Sequence, residues 1–341
     1  FPALRLPEPL GLLPPLADLP SLLSASTSDL ARAAALLRAG EIVALPTETV
    51  YGLAADALNP AALAKVFAAK GRPLVDPLII HVADLAALAT VAQPDPRLAA
   101  LAPFWPGPLT VVLRRLPVVP DLITAGLDTV AVRIPSHPAF REVLAHVGPL
   151  AAPSANPFGY VSPTRASHVR DSLGERCPWI VDGGPCAHGV ESTILDLSDP
   201  TRARLLRPGP ITREALAVAL GAPIETVARA APSDQAQLAP GMLDRHYSPR
   251  TPIMLLSRGA AIPSLPPGSV LVLQSRRANW RANDATFYFS ESGDPAEAAA
   301  ALFALLRQLD AKAHSLIIAE LADESGVGVA LNDRLRRAAA R

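Results

Sequence analysis

The sequence predicts an α/β protein of the mixed, α+β kind, built as two units, on three observations. Strand-like and helix-like segments mix without strict alternation over the first 220 residues, which favours a mixed sheet over a pure doubly wound one. The composition then shifts: from about Gly221 to Pro252, Ala, Pro, Gln and Ser dominate and no hydrophobic period survives. Strand–helix–strand units resume after it. The expected division is a first domain over 27–220, a linker over 221–252 and a small α/β domain over 253–341.

The elements follow in order. Ser26-Thr27-Ser28-Asp29 offers N-caps, Leu30, Ala33, Ala34 and Leu37 follow at helical spacing, and Gly40 ends the helix. A strand over 41–45 comes next, then a helix capped by Asn59-Pro60 and running to about Lys70. Leu78-Ile79-Ile80-His81-Val82 reads as a buried strand. Short helical stretches over 84–91 and 95–102 lead to Trp105-Pro106-Gly107-Pro108. Further strands are expected over 109–113, 129–134, 150–152, 179–181, 192–197 and 204–206, with helices over 138–146, 164–173 and 212–220. Beyond the linker come strands over 253–256, 269–273 and 286–289, a helix over 295–309, a strand over 315–319 and a basic helix to the end.

At 341 residues, half of them hydrophobic, the chain should fold into two cores. Lys plus Arg equals Asp plus Glu, at 31 each, which disfavours nonspecific nucleic-acid binding through overall charge. Nearly all the positive charge is arginine, the residue suited to bidentate contacts with carboxylates and phosphates. Cys177 and Cys186 form neither a metal pattern nor a disulfide framework. No run of 18 apolar residues suggests a membrane span. The first 26 residues lack the basic start and unbroken apolar core of a signal peptide, so a cytoplasmic enzyme is the default.

The segment Leu45-Pro46-Thr47-Glu48-Thr49-Val50-Tyr51-Gly52 ends a strand in hydroxyls, and Lys70-Gly71-Arg72-Pro73 ends a helix in cations. Together they suit a polyphosphate, although no P-loop pattern is present and cations at a helix C-terminus are favourable anyway. His81 fits either a core position or a site. Arg133 shares a strand face with Thr129 and Ala131 and needs an anion, which either a protein carboxylate or a ligand carboxylate could supply. Ser154 and Asn156 form a second polar cluster with Ser162 and Thr164, one of which N-capping would explain. Arg207 stands at another strand end, and His246-Tyr247 marks a linker that docks on something.

Assembled, these segments resemble the threonylcarbamoyl-AMP synthases of the YrdC-like family in their long, two-domain form. The matching stretches are PTETVYGL, KGRP with DPLIIH, WPGPLT, AGLDTVAVRIPSHP, AAPSAN with SPT, GVESTILD, LLRPG and APGMLDRHYSP, in family order over about residues 27 to 252. The resemblance implies a twisted mixed sheet around a basic cavity, followed by a small Rossmann-like domain. It implies synthesis of threonylcarbamoyl-AMP and pyrophosphate from L-threonine, bicarbonate or CO2, and ATP. The product would pass to a separate tRNA threonylcarbamoyl-transfer machinery, and direct contact with tRNA is left open.

Position by position, the resemblance implies a threonine pocket of Thr47, Thr49, His81, Arg133, Ser154 and Ser192. It places Lys70, Arg72, Asp76, Thr129, Asn156, Ser162, Arg207 and Tyr247 on the ATP side, with Lys70 and Arg72 serving the chemistry, Tyr247 reaching back from the linker and Mg2+ accompanying the phosphates. Asp76 replaces the family's usual Asn, so its carboxylate should repel a triphosphate unless it binds magnesium or turns away. The competing readings are an RNA-binding module using the same cavity without chemistry, and carbamoyl transfer to another acceptor.

Overall fold

The computed structural model describes residues 21–227, 235–242, 246–278 and 280–340. The expectations for residues 1–20, for 228–234 and 243–245 of the linker, and for the last residue lie outside the described residues.

The first unit runs β1 (Ser21–Ser24), α1 (Thr27–Arg38), β2 (Val43–Leu45), β3 (Gly52–Asp56), α2 (Pro60–Lys70), β4 (Ile79–His81), α3 (Leu85–Leu88), α4 (Leu98–Leu101), β5 (Leu109–Arg114), α5 (Asp121–Thr124), β6 (Thr129–Arg133), α6 (Pro138–Val147), β7 (Leu150–Ala151), α7 (Ala166–Leu173), β8 (Trp179–Asp182), β9 (Thr193–Asp196), β10 (Arg204–Arg207), α8 (Arg213–Leu220) and β11 (Glu225–Thr226). The second runs β12 (Ile253–Leu256), β13 (Ser269–Leu273), β14 (Thr286–Tyr288), α9 (Pro295–Asp310), β15 (Leu316–Glu320) and α10 (Val327–Ala339).

The capping chemistry legible in the sequence sets the helix ends. Ser26 accepts from the Asp29 N–H at the start of α1. Asn59 accepts from the N–H groups of Ala61 and Ala62 ahead of Pro60, and Gly71 closes α2 in the left-handed region. Thr212 and Asp294 cap α8 and α9 in the same way.

The first sheet has the order β1-β8-β2-β3-β7-β4-β6-β5-β9-β10-β11 and is mixed. β4 and β6 are parallel, β5 is antiparallel to β6, and β5 and β9 are parallel. Helices cover both faces: α1 packs with α6 through Leu30, Ala33, Leu37, Phe140 and Val143, while Ala62 and Val66 of α2 and Val169 and Leu173 of α7 share a separate cluster. The second sheet, β12-β15-β13-β14, is parallel throughout. Along β13, Val270 and Val272 face α9 and α10 while Leu271 and Leu273 face the other side, so a continuous apolar run is buried on both faces.

Three short strands escaped the sequence reading. β1 is an edge strand with only Leu23 buried, and β3 is built of small residues of low strand propensity. Gly52 opens β3 because a Cβ there would lie 3.0 Å from the Ala152 Cβ. β11 lies inside the segment read as linker: Ile224 drops into the main core and β11 pairs with β10. The first sheet therefore begins before residue 27 and ends after residue 220.

The strand register positions the site. His81 and Arg133 are register partners at the ends of β4 and β6, and Thr110 of β5 lies opposite Arg133. Ser192 immediately precedes β9, and Ser154 bridges to Gly52. Residues far apart in the chain thus meet at one edge of the sheet.

Candidate active site

The pocket at this edge is lined by Thr47, Thr49, Val50, Gly52, Arg72, Ile79, His81, Arg133, Ala152, Pro153, Ser154, Glu191, Ser192, Arg207, Pro240, Gly241, His246 and Tyr247. It contains every residue of the threonine group and, from the ATP group, Arg72, Arg207 and Tyr247.

Proline ends β2 by removing a ladder donor, and Thr47 then organises the turn. Its Oγ1 accepts from the N–H groups of Thr49 and Val50 and donates to the Val50 carbonyl at 2.6 Å. This presents Thr49, whose Oγ1 accepts from Arg133 Nη1 at 2.9 Å. Arg133 also donates from Nε to the Gly107 carbonyl, and its Nη2 lies 2.7 Å from Glu48 Oε1. The anion that Arg133 needs is thus a protein carboxylate in this structure. Burial would raise the Glu48 pKa, but the Arg133 charge and its hydrogen bonding outweigh burial and hold it at about 2.

His81 is fully buried against Phe140, with ring centroids 5.1 Å apart. Burial, and then the Arg133 charge, push its pKa down to about 3, so the ring is neutral at physiological pH. Because the unfolded chain binds a proton near pH 6.5 and the folded one does not, acid favours unfolding progressively from about pH 6.5 down to pH 3. Urea unfolding of His81→Asn at pH 7 and pH 4.5 is expected to show a smaller loss of stability than the parent; an equal loss would remove His81 from that pH response.

The cationic group divides. Arg72 faces the pocket while donating to the Asp76 and Pro77 carbonyls, and it lies 2.9 Å from Asp76 Oδ2. Asp76, fully buried, therefore turns onto Arg72; burial lifts its pKa against the pull of the Arg72 charge. Lys70 is outside the lining and donates to the Ser154 and Asn156 carbonyls at 2.5 and 2.6 Å. Burial, then the Arg72 charge, hold its pKa well below the lysine range. Lys70 thereby fixes the loop that carries Ser154 and Asn156.

Arg207 clamps the opposite wall, donating to the Ser192 carbonyl and Oγ and to the Pro240 carbonyl at 3.0–3.1 Å. Asn156 is buried beside the pocket and donates to the Pro157 and Tyr160 carbonyls. Ser162 donates to Glu191 Oε1 at 2.6 Å. Thr129 opens β6 opposite Arg114, at the other end of the strand from Arg133 and away from the pocket.

From the second side, the linker lays His246 and Tyr247 over the pocket. Tyr247 is buried with φ +64, its ring 4.0 Å from His246 and 5.4 Å from Phe303 of α9. Arg334 of α10 lies 5.3 Å from the same ring, and its Nε lies 2.7 Å from Glu191 Oε2. Burial lowers the Arg334 pKa, but the carboxylates of Glu191 and Asp333 raise it overall. At the same seam, a Cβ on Gly189 would come within 2.5 Å of the Ala300 backbone, so only glycine permits the approach of α9.

The sequence reading did not select Glu48, Glu191, His246 or Arg334 as site residues. The first three sit inside the segments that carried the resemblance. Arg334 has no local signal, since its partner is 143 residues away.

Several buried polar atoms around the pocket have no hydrogen-bond partner among the described residues: His81 Nδ1, Asn156 Oδ1, His246 Nδ1 and Tyr247 Oη. Unsatisfied polar atoms concentrated at one cavity point to a ligand that satisfies them. Among the described residues no group of three or more His, Cys, Asp and Glu is arranged to hold a metal.

Comparison with known proteins agrees with this geometry. The family model Sua5/YciO/YrdC, described as telomere recombination, matches residues 35–209. A second model, the C-terminal domain of threonylcarbamoyl-AMP synthase, matches residues 211–340. The chain is 40% identical to the threonylcarbamoyl-AMP synthase of Bacillus subtilis, with 94% of this chain and 96% of the relative covered. It is 39% identical to that of Pyrococcus abyssi, with 90% and 92% covered. The crystal structure of Pyrococcus abyssi Sua5 complexed with L-threonine superposes with a TM-score of 0.83 at 36% identity, covering 94% of this chain and 97% of that one. The chain belongs to the family of two-domain threonylcarbamoyl-AMP synthases.

Proposed function

We propose that this protein makes threonylcarbamoyl-AMP and pyrophosphate from L-threonine, bicarbonate or CO2, and ATP. The observation that carries the reading is one pocket combining Thr47, Thr49, His81, Arg133, Ser154 and Ser192 with Arg72, Arg207 and Tyr247, in a chain so similar to a relative solved with L-threonine. Arg133 is the group suited to the amino-acid carboxylate, and Arg72 and Arg207 suit the phosphates. The threonine amine takes up CO2 as a carbamate, a carbamate oxygen attacks the α-phosphorus, and pyrophosphate leaves in line. The enzyme is thus a nucleotidyltransferase. Its contribution is positioning and charge stabilisation, and no protein nucleophile is needed.

Magnesium enters with ATP as part of the substrate. The Asp76 and Glu191 carboxylates, engaged by Arg72 and by Ser162 and Arg334, form no metal cage of their own. The cavity holds only about 50 Å³, less than the substrates occupy, so the residues laid over it, Pro240, Gly241, His246 and Tyr247, move to admit them and then close against water. The product supplies tRNA threonylcarbamoylation in the cytoplasm. Among the described residues no helix is long and apolar enough to cross a membrane.

The test is incubation of purified protein with ATP, bicarbonate and each amino acid in turn, scoring pyrophosphate. Release is expected with threonine and to fall when bicarbonate is removed. Release independent of threonine would refute the reading.

A further inference from the structure

A second cavity, of about 770 Å³, opens at the seam between the two units. Its size falls within the range of small-molecule sites. One wall is Tyr160 with Arg165 and His168 of the first unit, the linker contributes Arg250, and α9 contributes Arg307 and Asp310.

The charges there are unbalanced. Among the described residues, none of Arg165, Arg250 and Arg307 has a carboxylate oxygen within 4.0 Å. Arg307 is buried and spends its donors on the Val161, Ser162 and His168 carbonyls, and Asp171 and Asp310 offset its charge only from beyond contact distance. The lining sets three arginines against two acids. Asp310 accepts from Tyr160 Oη at 2.7 Å and from the Thr251 N–H at 2.8 Å, and Asp171 faces Arg170 at 3.5 Å. Arg165 and Arg250 are exposed at the rim, with Arg250 5.9 Å from the Tyr160 ring.

We propose that this seam cavity is a second anion site, distinct from the catalytic pocket, that takes a small polyphosphate such as pyrophosphate or a nucleotide. A recessed cavity framed by three guanidiniums suits a compact oligophosphate more than an extended RNA strand, which would call for a basic stripe along the surface. The site is tied to the catalytic pocket: Asn156 donates to the carbonyls of Pro157 and Tyr160, and both residues line the seam cavity. Arg250 follows Tyr247 by three residues. Polyphosphate at the seam therefore draws on the same loop and linker that shape the catalytic pocket.

The experiment is calorimetric titration of the full chain with pyrophosphate and, separately, with AMP, phosphate and a short single-stranded RNA. It is repeated on the Arg165→Glu/Arg250→Glu variant. Both substitutions are at exposed positions, so an unchanged melting temperature is expected, and Arg165→Lys/Arg250→Lys serves as the conservative control. The native chain should bind pyrophosphate or AMP at two sites. The reversed variant should keep one and weaken the other at least tenfold, while the lysine variant retains both. Loss of a pyrophosphate site only would assign the phosphates alone as the recognised group, and loss of an AMP site would extend it to the nucleotide. Pyrophosphate and AMP binding that is equal in the native chain and the reversed variant, whatever the number of sites, or a charge-dependent change seen with RNA alone, would overturn the proposal. This readout needs no turnover and stands or falls independently of threonine activation.

Discussion

Arg133→Ala is expected to raise the KM for threonine about 100-fold while changing that for ATP little. The basis is the loss of one charge-assisted, fork-shaped contact worth about 2–3 kcal/mol. The same change strands Glu48, a buried carboxylate 2.7 Å from Arg133 Nη2. Removing one partner of a buried pair costs about 3–5 kcal/mol. A double variant separates the two effects: Arg133→Ala/Glu48→Gln should recover much of the lost stability but none of the threonine affinity. Steady-state kinetics and urea unfolding read these outcomes. Equal increases in both KM values would remove Arg133 from the threonine pocket. The pair also has a pH signature. With its folded pKa held at about 2 against an ordinary 4.5, Glu48 contributes stability fully above pH 4.5, and that contribution is lost as pH falls toward 2. Glu48→Gln should lack this component.

Arg334→Ala is the second change of large expected effect, although Arg334 is remote in sequence from every catalytic motif. Its guanidinium is fully buried, paired with Glu191 and set against the Tyr247 ring. Truncation leaves Glu191 buried without its cation, again at a cost of about 3–5 kcal/mol, where an exposed pair would cost under about 1 kcal/mol. The melting temperature should fall by about 5 °C. In a double-mutant cycle with Glu191→Gln the effects should be non-additive by more than about 1 kcal/mol. Additive effects would mean that the two side chains do not act as a pair. Because Glu191 also holds Ser162, and Arg334 also backs Tyr247, the variant should lose turnover together with stability.

Much of this fold is legible in the sequence because its signals are local. Asn59-Pro60 and Gly71 bound α2 through backbone chemistry that needs only neighbouring residues. The buried runs of β4, β5 and β13 are continuous in sequence. β3 is not legible, because Gly-Leu-Ala-Ala-Asp has little strand propensity and is held by partners on either side. β11 was hidden in a segment of linker-like composition, and only its pairing with β10 defines it.

The site divides along the same line. The chain by itself determined which residue types stand at the ends of which strands: hydroxyls after β2, cations after α2, and arginines ending β6 and β10. Those choices follow from turn, cap and strand chemistry. Tertiary structure alone decided their partners: Arg133 meets Glu48, Asp76 turns onto Arg72, Lys70 holds a loop in place of facing the pocket, and Thr129 lies at the far end of its strand. It also brought Arg334 across 143 residues to Glu191. The physical reason is that a buried charge is stable only beside its counter-charge or its hydrogen-bond partners, and sheet order and domain docking determine which partners lie within reach.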